Sequence, residues 1–123
     1  MDMNRSYRFE ADGKCLDPEE PIRRFAHDWS FRIRVAKSDH GWHYGICCTC
    51  DTESESVLPN ELHNTCKSLR EAIYRAAMEV HGFFVKFTYT DDSAKRKIAN
   101  EAIKRIKAII RDYSQPSKSI KEQ

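Results

Sequence analysis

The sequence of 123 residues is poor in glycine and has no long apolar segment. Only four glycines occur, so a glycine-rich loop that cradles phosphate groups is not expected. No stretch approaches the roughly 18 apolar residues of a membrane-spanning helix, so no membrane span is predicted. No apolar run follows the first residues either. A secretory signal is therefore not expected, and the cytoplasm is the predicted location.

Disulfide and catalytic signatures are also missing. The five cysteines are an odd number, which together with the expected location predicts reduced thiols rather than a disulfide framework. The sequence contains no G-x-S-x-G, Walker A, H-E-x-x-H, dinucleotide-binding or EF-hand pattern. Its carboxylates are dispersed and suggest no acid–base pair. We therefore expect a protein that is not an enzyme.

The net charge of +2 is small and is unevenly distributed along the chain. Residues 1–90 hold 12 Lys or Arg and 14 Asp or Glu, whereas residues 91–123 hold nine and five. The basic excess therefore lies in the C-terminal part. A dedicated nucleic-acid-binding protein usually carries a stronger excess, so charge alone does not identify the partner.

Two neighbouring segments alternate between apolar and polar residues, which predicts a β-hairpin over residues 29–50. The turn-forming residues 38–41, Ser-Asp-His-Gly, separate the two strands. Closing the chain there places Ile33 opposite Ile46 and brings every large apolar side chain to one face. The other face, called the open face, would present Ser30, Arg32, Arg34, His43 and Thr49.

The clearest element is an amphipathic helix predicted over residues 68–82. Ser68 and Glu71 have the spacing of a capping box, in which each side chain satisfies a free backbone N–H. Gly82 suits the end of the helix. One continuous apolar stripe follows from Leu69, Ala72, Ile73, Ala76, Ala77 and Val80. We expect this stripe to cover the apolar face of the hairpin.

Weaker patterns predict the remaining elements. Asp17 can cap a short helix, Pro18 suits its first position, and the helix would end near Asp28. Residues 91–93, Asp-Asp-Ser, precede an apolar stripe that predicts a second long helix of about 20 residues. Alternation further predicts a strand over residues 83–89, a short strand over 7–11 and a third sheet strand at 57–58 or 62–63.

Together these elements predict the α+β class. An isolated hairpin is only marginally stable, so further strands are expected. We predict one domain over residues 1–113, built from an antiparallel sheet of three to five strands that helices cover on one face. Residues 114–123 are short, polar and predicted to be a disordered tail.

A candidate metal site comes from two close pairs of ligand residues. Twelve residues separate Cys48 and Cys50 from His63 and Cys66, and such a set can bind zinc tetrahedrally. A C-x-C pair is a weaker signal than C-x-x-C, and cysteine is among the most buried residue types. Buried thiols are therefore the favoured interpretation. Zinc is the one cofactor left open.

Basic residues on the open face and on the last helix form the candidate partner-binding set: Arg32, Arg34, His43, Lys95, Arg96, Lys104 and Arg105. Contacts with phosphate groups need such charges. The predicted open face, however, lacks an aromatic residue on which a base could stack. A charged, solvated surface is therefore favoured over a nucleic-acid interface.

Two resemblances involve the hairpin and the helix after it. The order strand, turn, strand, Ser-Leu-Arg-Glu-Ala-Ile helix and strand resembles the partial RNA-binding-domain fold of HicB-type antitoxins. The patterns His-Gly-Trp-His-Tyr-Gly at residues 40–45 and Ser-x-x-Glu-Ala-Ile at residues 68–73 are similar to small phage and mobile-element accessory proteins, including anti-CRISPR inhibitors. The second resemblance implies a non-catalytic inhibitor that binds a nuclease or CRISPR effector. The basic face or the acidic segment 51–55 would then contact that partner.

We therefore interpret the chain as a small protein-binding regulatory or inhibitor module from a mobile element. A nucleic-acid-binding regulatory protein is the first alternative, and a small structural zinc domain is the second. A flat, partly apolar exposed surface would favour a protein partner or a homodimer.

Overall fold

The computed structural model describes residues 5–114, in which four β-strands precede two long helices. The strands form one antiparallel sheet in the order β1-β2-β3-β4. Their bounds are Glu19–Phe25 for β1, Trp29–Ser38 for β2, Gly41–Cys50 for β3 and Glu53–Val57 for β4. Helix α1 spans Leu69–Val85 and continues into a 3-10 turn at Lys86–Tyr89, and helix α2 spans Ser93–Ser114. The predicted α+β class is confirmed, while residues 1–4 of the predicted domain and residues 115–123 of the predicted tail lie outside the described residues.

The predicted hairpin register is confirmed over the full length of β2 and β3. Ile33 lies opposite Ile46, and pairing runs without interruption from Trp29 and Cys50 to Ser38 and Gly41. The odd-numbered residues of β2 from Trp29 to Val35 and the even-numbered residues of β3 then share one face and are buried. Burial of one face favours this register because a slip by one residue would expose a whole apolar set.

The helices pack on this apolar face, where α1 lies against β2 and β3. Ser68 Oγ accepts the backbone N–H of Glu71 at 3.0 Å, as expected for the N-terminal cap. The Glu71 carboxylate accepts the N–H of Lys67 rather than that of Ser68, at 2.9 Å. Ala76 and Ala77 are fully buried, so their small side chains let α1 approach the sheet closely.

The predicted helix over residues 17–28 is wrong, because this segment forms strand β1. Ile22 pairs with Ile33 and contributes to the core, while Phe25 pairs with Ser30. The capping signal around Pro18 is local. Pairing with β1, by contrast, satisfies the N–H and C=O groups along one side of β2, which would otherwise be left unpaired at an edge of the sheet. Tertiary pairing therefore overrides the helix-start pattern.

The predicted strand over residues 83–89 is also wrong, because α1 runs on to Val85 and ends in the 3-10 turn. Phe83 and Phe84 are both buried, although neighbours in a strand would point to opposite faces. Phe84 packs edge-to-face on Phe31 at 6.2 Å between ring centroids, and Phe83 packs on Phe87 at 5.2 Å. The four-residue spacing of the second pair suits a helical course better than a strand.

The remaining predictions have mixed outcomes. The second long helix is confirmed as α2, and the third strand is β4, which includes Val57 but not residues 62–63. The short strand over 7–11 is reduced to one bridge between Phe9 and Cys15. Within residues 5–114, no helix is long and apolar enough to cross a membrane.

Candidate functional site

The two faces of the sheet have different surroundings. The helices lie on the apolar face, while the open face carries polar side chains of the central strands. Along β2 these are Ser30, Arg32 and Arg34, all partly exposed. Along β3, Cys47 and Thr49 are partly exposed on the same side. The charged side chains at this end of the open face are therefore accessible to a partner.

Three arginines of the open face surround one carboxylate. Glu20 Oε2 lies 3.2 Å from Arg34 Nε and 3.6 Å from Arg32 Nη1. Glu20 Oε1 lies 3.6 Å from Arg23 Nε. We call these four residues, together with Phe25, the arginine face. It carries three guanidinium groups and one carboxylate, so its net charge is positive.

A β-bulge in β1 places the carboxylate among the arginines. Glu19 pairs with Val35 and Ile22 pairs with Ile33, so two residues of β1 lie where one would fit a regular ladder. Without this extra residue, Glu20 would lie opposite Val35, on the side that faces the helices. The bulge therefore turns the Glu20 side chain onto the open face.

Phe25 adds an exposed apolar surface to the arginine face. It pairs with Ser30, and 61% of its surface is exposed. The Arg23 guanidinium lies over its ring, 5.4 Å from the centroid. The expectation that the open face lacks an aromatic residue is therefore wrong, since it followed from treating residues 17–28 as a helix.

Two of the guanidinium groups have further contacts that hold them in place. Arg34 Nη1 donates to Ser56 Oγ at 3.1 Å, and Arg32 Nη2 donates to Cys47 Sγ at 3.2 Å. The side chain of Arg34 is only 13% exposed, compared with 54% for Arg23. The arginine face thus has an ordered centre at Arg32 and Arg34 and a more exposed margin at Arg23.

His43 does not belong to this surface, although it lies on the predicted side of the sheet. It is fully buried, and its ring meets that of Phe9 edge-to-face at 6.4 Å. The N-terminal segment and the residues after β4 cover this end of the open face, because Pro59 accepts the N–H of Cys15 and passes close to Gly45. The prediction that His43 is exposed was wrong. The alternation of residues assigns a side chain to one face of the sheet, but it does not show which other segments cover that face.

The buried imidazole of His43 lies in a hydrogen-bond chain that suits its neutral form. Nδ1 donates to the carbonyl of His63 at 3.1 Å, and Nε2 accepts from Ser38 Oγ at 2.6 Å. Ser38 Oγ in turn accepts the N–H of His40 at 3.0 Å. Burial lowers the pKa of His43 below its usual value. The charge of Glu61 partly raises this pKa, whereas His40 lowers it further. Protonation on Nε2 would require the Ser38 hydroxyl to rotate and to accept a hydrogen bond instead of donating one.

The protein is expected to lose stability as the pH falls below about 6.5, the usual pKa of histidine. The unfolded chain takes up protons first, because the native pKa values of His43 and of the partly buried His81 are lowered. Each contributes a slope of at most about 1.4 kcal/mol per pH unit between the two pKa values. Urea unfolding at pH 7.5 and 5.5 measures the loss.

His43→Gln should reduce this pH dependence, since it removes one titrating group. His27→Gln, whose side chain is 96% exposed between β1 and β2, is the control with the same chemistry. A wild-type stability that is equal at both pH values would contradict the prediction. So would a pH dependence that His43→Gln leaves unchanged.

The helix cations of the predicted partner-binding set lie in the other layer of the protein. Lys95 pairs with Glu53 at 3.5 Å, and Lys104 pairs with Glu101 at 3.8 Å. Arg96 donates to the carbonyl of Thr90 at 2.7 Å. Arg105 lines an open groove of about 500 Å³ between α2 and the β1–β2 turn. The sheet separates these residues from Arg32 and Arg34, so the predicted set does not form one continuous surface.

The four candidate zinc ligands are not brought together. Cys48 and Cys50 lie near the end of β3, whereas Cys66 bridges to Trp42 at its beginning. Cys48 lies six positions along the strand from Trp42, a distance of about 20 Å. Burial raises the pKa of the Cys48 thiol to about 12, which favours a protonated thiol. Among residues 5–114, no group of three or more His, Cys, Asp or Glu side chains is arranged to hold a metal ion.

Comparison of the chain with protein-family models, with curated proteins and with solved structures finds no match. The two resemblances drawn from the hairpin and helix patterns stay predictions. The candidate site therefore rests on the geometry of the arginine face. Sequence reasoning found Arg32 and Arg34 but missed Glu20, Arg23 and Phe25, because all three belong to the misassigned β1.

Proposed function

We propose that the protein is a non-catalytic binding module whose arginine face contacts an acidic surface of a protein partner. The observation that carries the proposal is the group of three guanidinium groups around one carboxylate, beside the exposed ring of Phe25. Opposite charge on a partner would complement the positive face and guide its approach.

The composition of this face suits a protein interface. Arginine and aromatic residues are enriched at such interfaces and at the positions that contribute most to affinity. Arg32 and Arg34 are already held by Cys47 and Ser56, so less side-chain freedom is lost when a partner binds. Phe25 supplies the apolar contact area.

Two observations favour a protein over a nucleic acid. Phe25 is the aromatic residue of the arginine face, whereas single strands stack successive bases on several rings. The cations of α2 lie in the other layer and therefore cannot extend the same phosphate-binding track.

The acidic segment 51–55 is a weaker candidate for the contact. Glu53 pairs with Lys95, and Glu55 pairs with Lys86 at 3.9 Å. Both carboxylates are therefore partly neutralised by the helix layer, whereas the arginine face keeps an excess of positive charge. This difference leads us to place the partner on the arginine face.

The resemblance to phage and mobile-element accessory proteins directs the first choice of partner. In this proposal the module inhibits a CRISPR effector or another host nuclease by occupying one of its acidic surfaces. A plaque assay in cells with active CRISPR immunity tests this part. Immunity should fall when the wild-type protein is expressed, and unchanged immunity would contradict an inhibitor of that system.

The binding surface is tested by capture from nuclease-treated lysate with three baits. These are the wild type, Arg23→Glu on the arginine face and Lys97→Glu on α2, where the same change of charge serves as the matched control. We expect a protein that is retained by the wild type and by Lys97→Glu but lost from Arg23→Glu. With that protein purified, Arg23→Glu should weaken binding about tenfold or more, since a charge pair is replaced by repulsion.

Capture should also weaken as salt rises towards about 1 M, where the screening length falls to about 3 Å. Equal retention on all three baits would contradict the proposed surface. Capture that is seen in a parallel run with untreated lysate and is absent from the nuclease-treated lysate would replace the protein partner by a nucleic acid.

A further inference from the structure

We propose that the Glu20 carboxylate occupies an anion-binding subsite in the free protein, and that an acidic side chain of the partner displaces it. We call Glu20 the place-holder of this subsite. The subsite lies between Arg32 and Arg34, and the ligand that fits it is a carboxylate within an Asp- or Glu-rich protein segment. This inference rests on the proposed function and adds the chemistry of recognition to it.

The contacts of Glu20 are loose for a charge-assisted interaction. Its carboxylate lies 3.2 Å from Arg34 and 3.6 Å from Arg32 and Arg23, whereas strong pairs of this kind are about 2.7–2.9 Å apart. Its side chain is 24% exposed, so an incoming group can reach it from solvent. Glu20 is therefore paired with the arginines without being locked to them.

The arginines keep other contacts when Glu20 leaves. Arg34 remains hydrogen-bonded to Ser56, and Arg32 remains bonded to Cys47. Both donors belong to β2, whereas Cys47 belongs to the adjacent strand β3 and Ser56 to β4, the next strand beyond it. The subsite is thus preformed by residues other than Glu20.

The bulge lets Glu20 move at small cost to the sheet. Glu20 lies between the paired residues Glu19 and Ile22, within the irregular part of β1. Its side chain can turn towards solvent without breaking the regular ladder on either side. β1 is also an edge strand, and Pro21 next to Glu20 is typical of edges, where proline discourages unwanted strand pairing.

A place-holder of this kind selects for ligands with several carboxylates. Glu20 is part of the same chain, and such a tethered group acts at an effective concentration of order millimolar or higher. A single free carboxylate competes poorly with it. A segment with several acidic side chains gains from Arg23 as well, because that guanidinium lies at the exposed margin of the same face.

The test is titration of fluorescent hexaglutamate peptide into the full chain at low salt, followed by anisotropy. Glu20→Gln should bind the peptide roughly five-fold more tightly than the wild type, since no internal carboxylate has to be displaced. Glu101→Gln makes the same change at a carboxylate on α2, which pairs with Lys104, and is the control. It should bind within about two-fold of the wild type, as exposed charges far from the site contribute little.

Resonances of the arginine side chains provide a measurement that needs no variant. Peptide should shift the Nε–H signal of Arg34 in the wild-type protein, because its acceptor changes from Glu20 to the ligand. An unmoved Arg34 signal at saturating peptide would overturn the place-holder. So would equal affinity of Glu20→Gln and the wild type, or no binding of peptide to either.

Those negative results would leave the proposed function to be decided by the capture experiment, which uses other variants and a whole protein partner. A parallel titration with oligothymidylate separates the two classes of anion. If Glu20→Gln increases the affinity for oligothymidylate more than the affinity for hexaglutamate, relative to the wild type, the inference is overturned in favour of nucleic acid.

Discussion

Replacing Phe84 by alanine is expected to lower the free energy of unfolding by about 3–5 kcal/mol, the range for large aromatic residues in a packed core. Phe84 is fully buried near the C-terminal end of α1. Its ring meets Phe31 of the sheet and Phe83 of its own helix, both edge-to-face. Truncation removes both contacts and leaves a cavity between the two layers. Urea unfolding followed by circular dichroism measures the change.

Tyr89→Ala is the matched control for this prediction. Tyr89 lies in the same segment that alternation assigns to a strand, but it is 83% exposed at the end of the 3-10 turn. Its replacement should change the free energy of unfolding by less than about 0.5 kcal/mol. A larger loss for Tyr89→Ala than for Phe84→Ala would show that this segment does not pack as described.

Gly45→Ala is expected to destabilise the protein by about 1–3 kcal/mol, as overpacking does in a close-packed interior. Gly45 lies in β3 on the open face, where the chain after β4 crosses it. A β-carbon at this position would collide with the backbone of Val57, Leu58 and Pro59. Backbone cannot rotate aside as a flexible side chain does, so the crossing segment has to move. Thermal unfolding of the variant measures the effect.

The same substitution at Gly82 should have the opposite sign. Gly82 lies inside α1, and a β-carbon there would have no atom within 4 Å. Gly82→Ala is therefore expected to raise the free energy of unfolding by about 0.5–1 kcal/mol, because alanine has the better helix propensity and a less flexible unfolded state. A higher free energy of unfolding for Gly45→Ala, or a lower one for Gly82→Ala, would contradict the packing described around these two glycines.

Local sequence patterns predict the strongest elements of this fold. The alternation in β2 and β3 predicts their register because burial of one face penalises any slip by one residue. The capping pair Ser68 and Glu71 predicts where α1 begins, because the free N–H groups at a helix start need acceptors. Gly82 misleads at the other end, since a glycine inside a well-packed helix costs less than the packing of Phe83 and Phe84 gains.

The candidate site is predicted only in part. Arg32 and Arg34 follow from the alternation of β2, which assigns them to the open face. The residues that complete the arginine face with them, including Glu20 and Phe25, belong to a strand whose local pattern predicts a helix. A run of Glu-Glu-Pro-Ile-Arg-Arg-Phe has no regular alternation to reveal it, because the bulge interrupts the pattern.

The sequence by itself thus determines the α+β class, the central hairpin with its register and the two long helices. Each of these depends on a period of apolar residues that only one local structure can bury. The tertiary structure decides that residues 19–25 pair with β2, that the N-terminal segment covers His43 and that the helix cations lie apart from the open-face arginines. These outcomes depend on contacts between segments that are distant in the chain. A local pattern of residues does not predict the energies of such contacts.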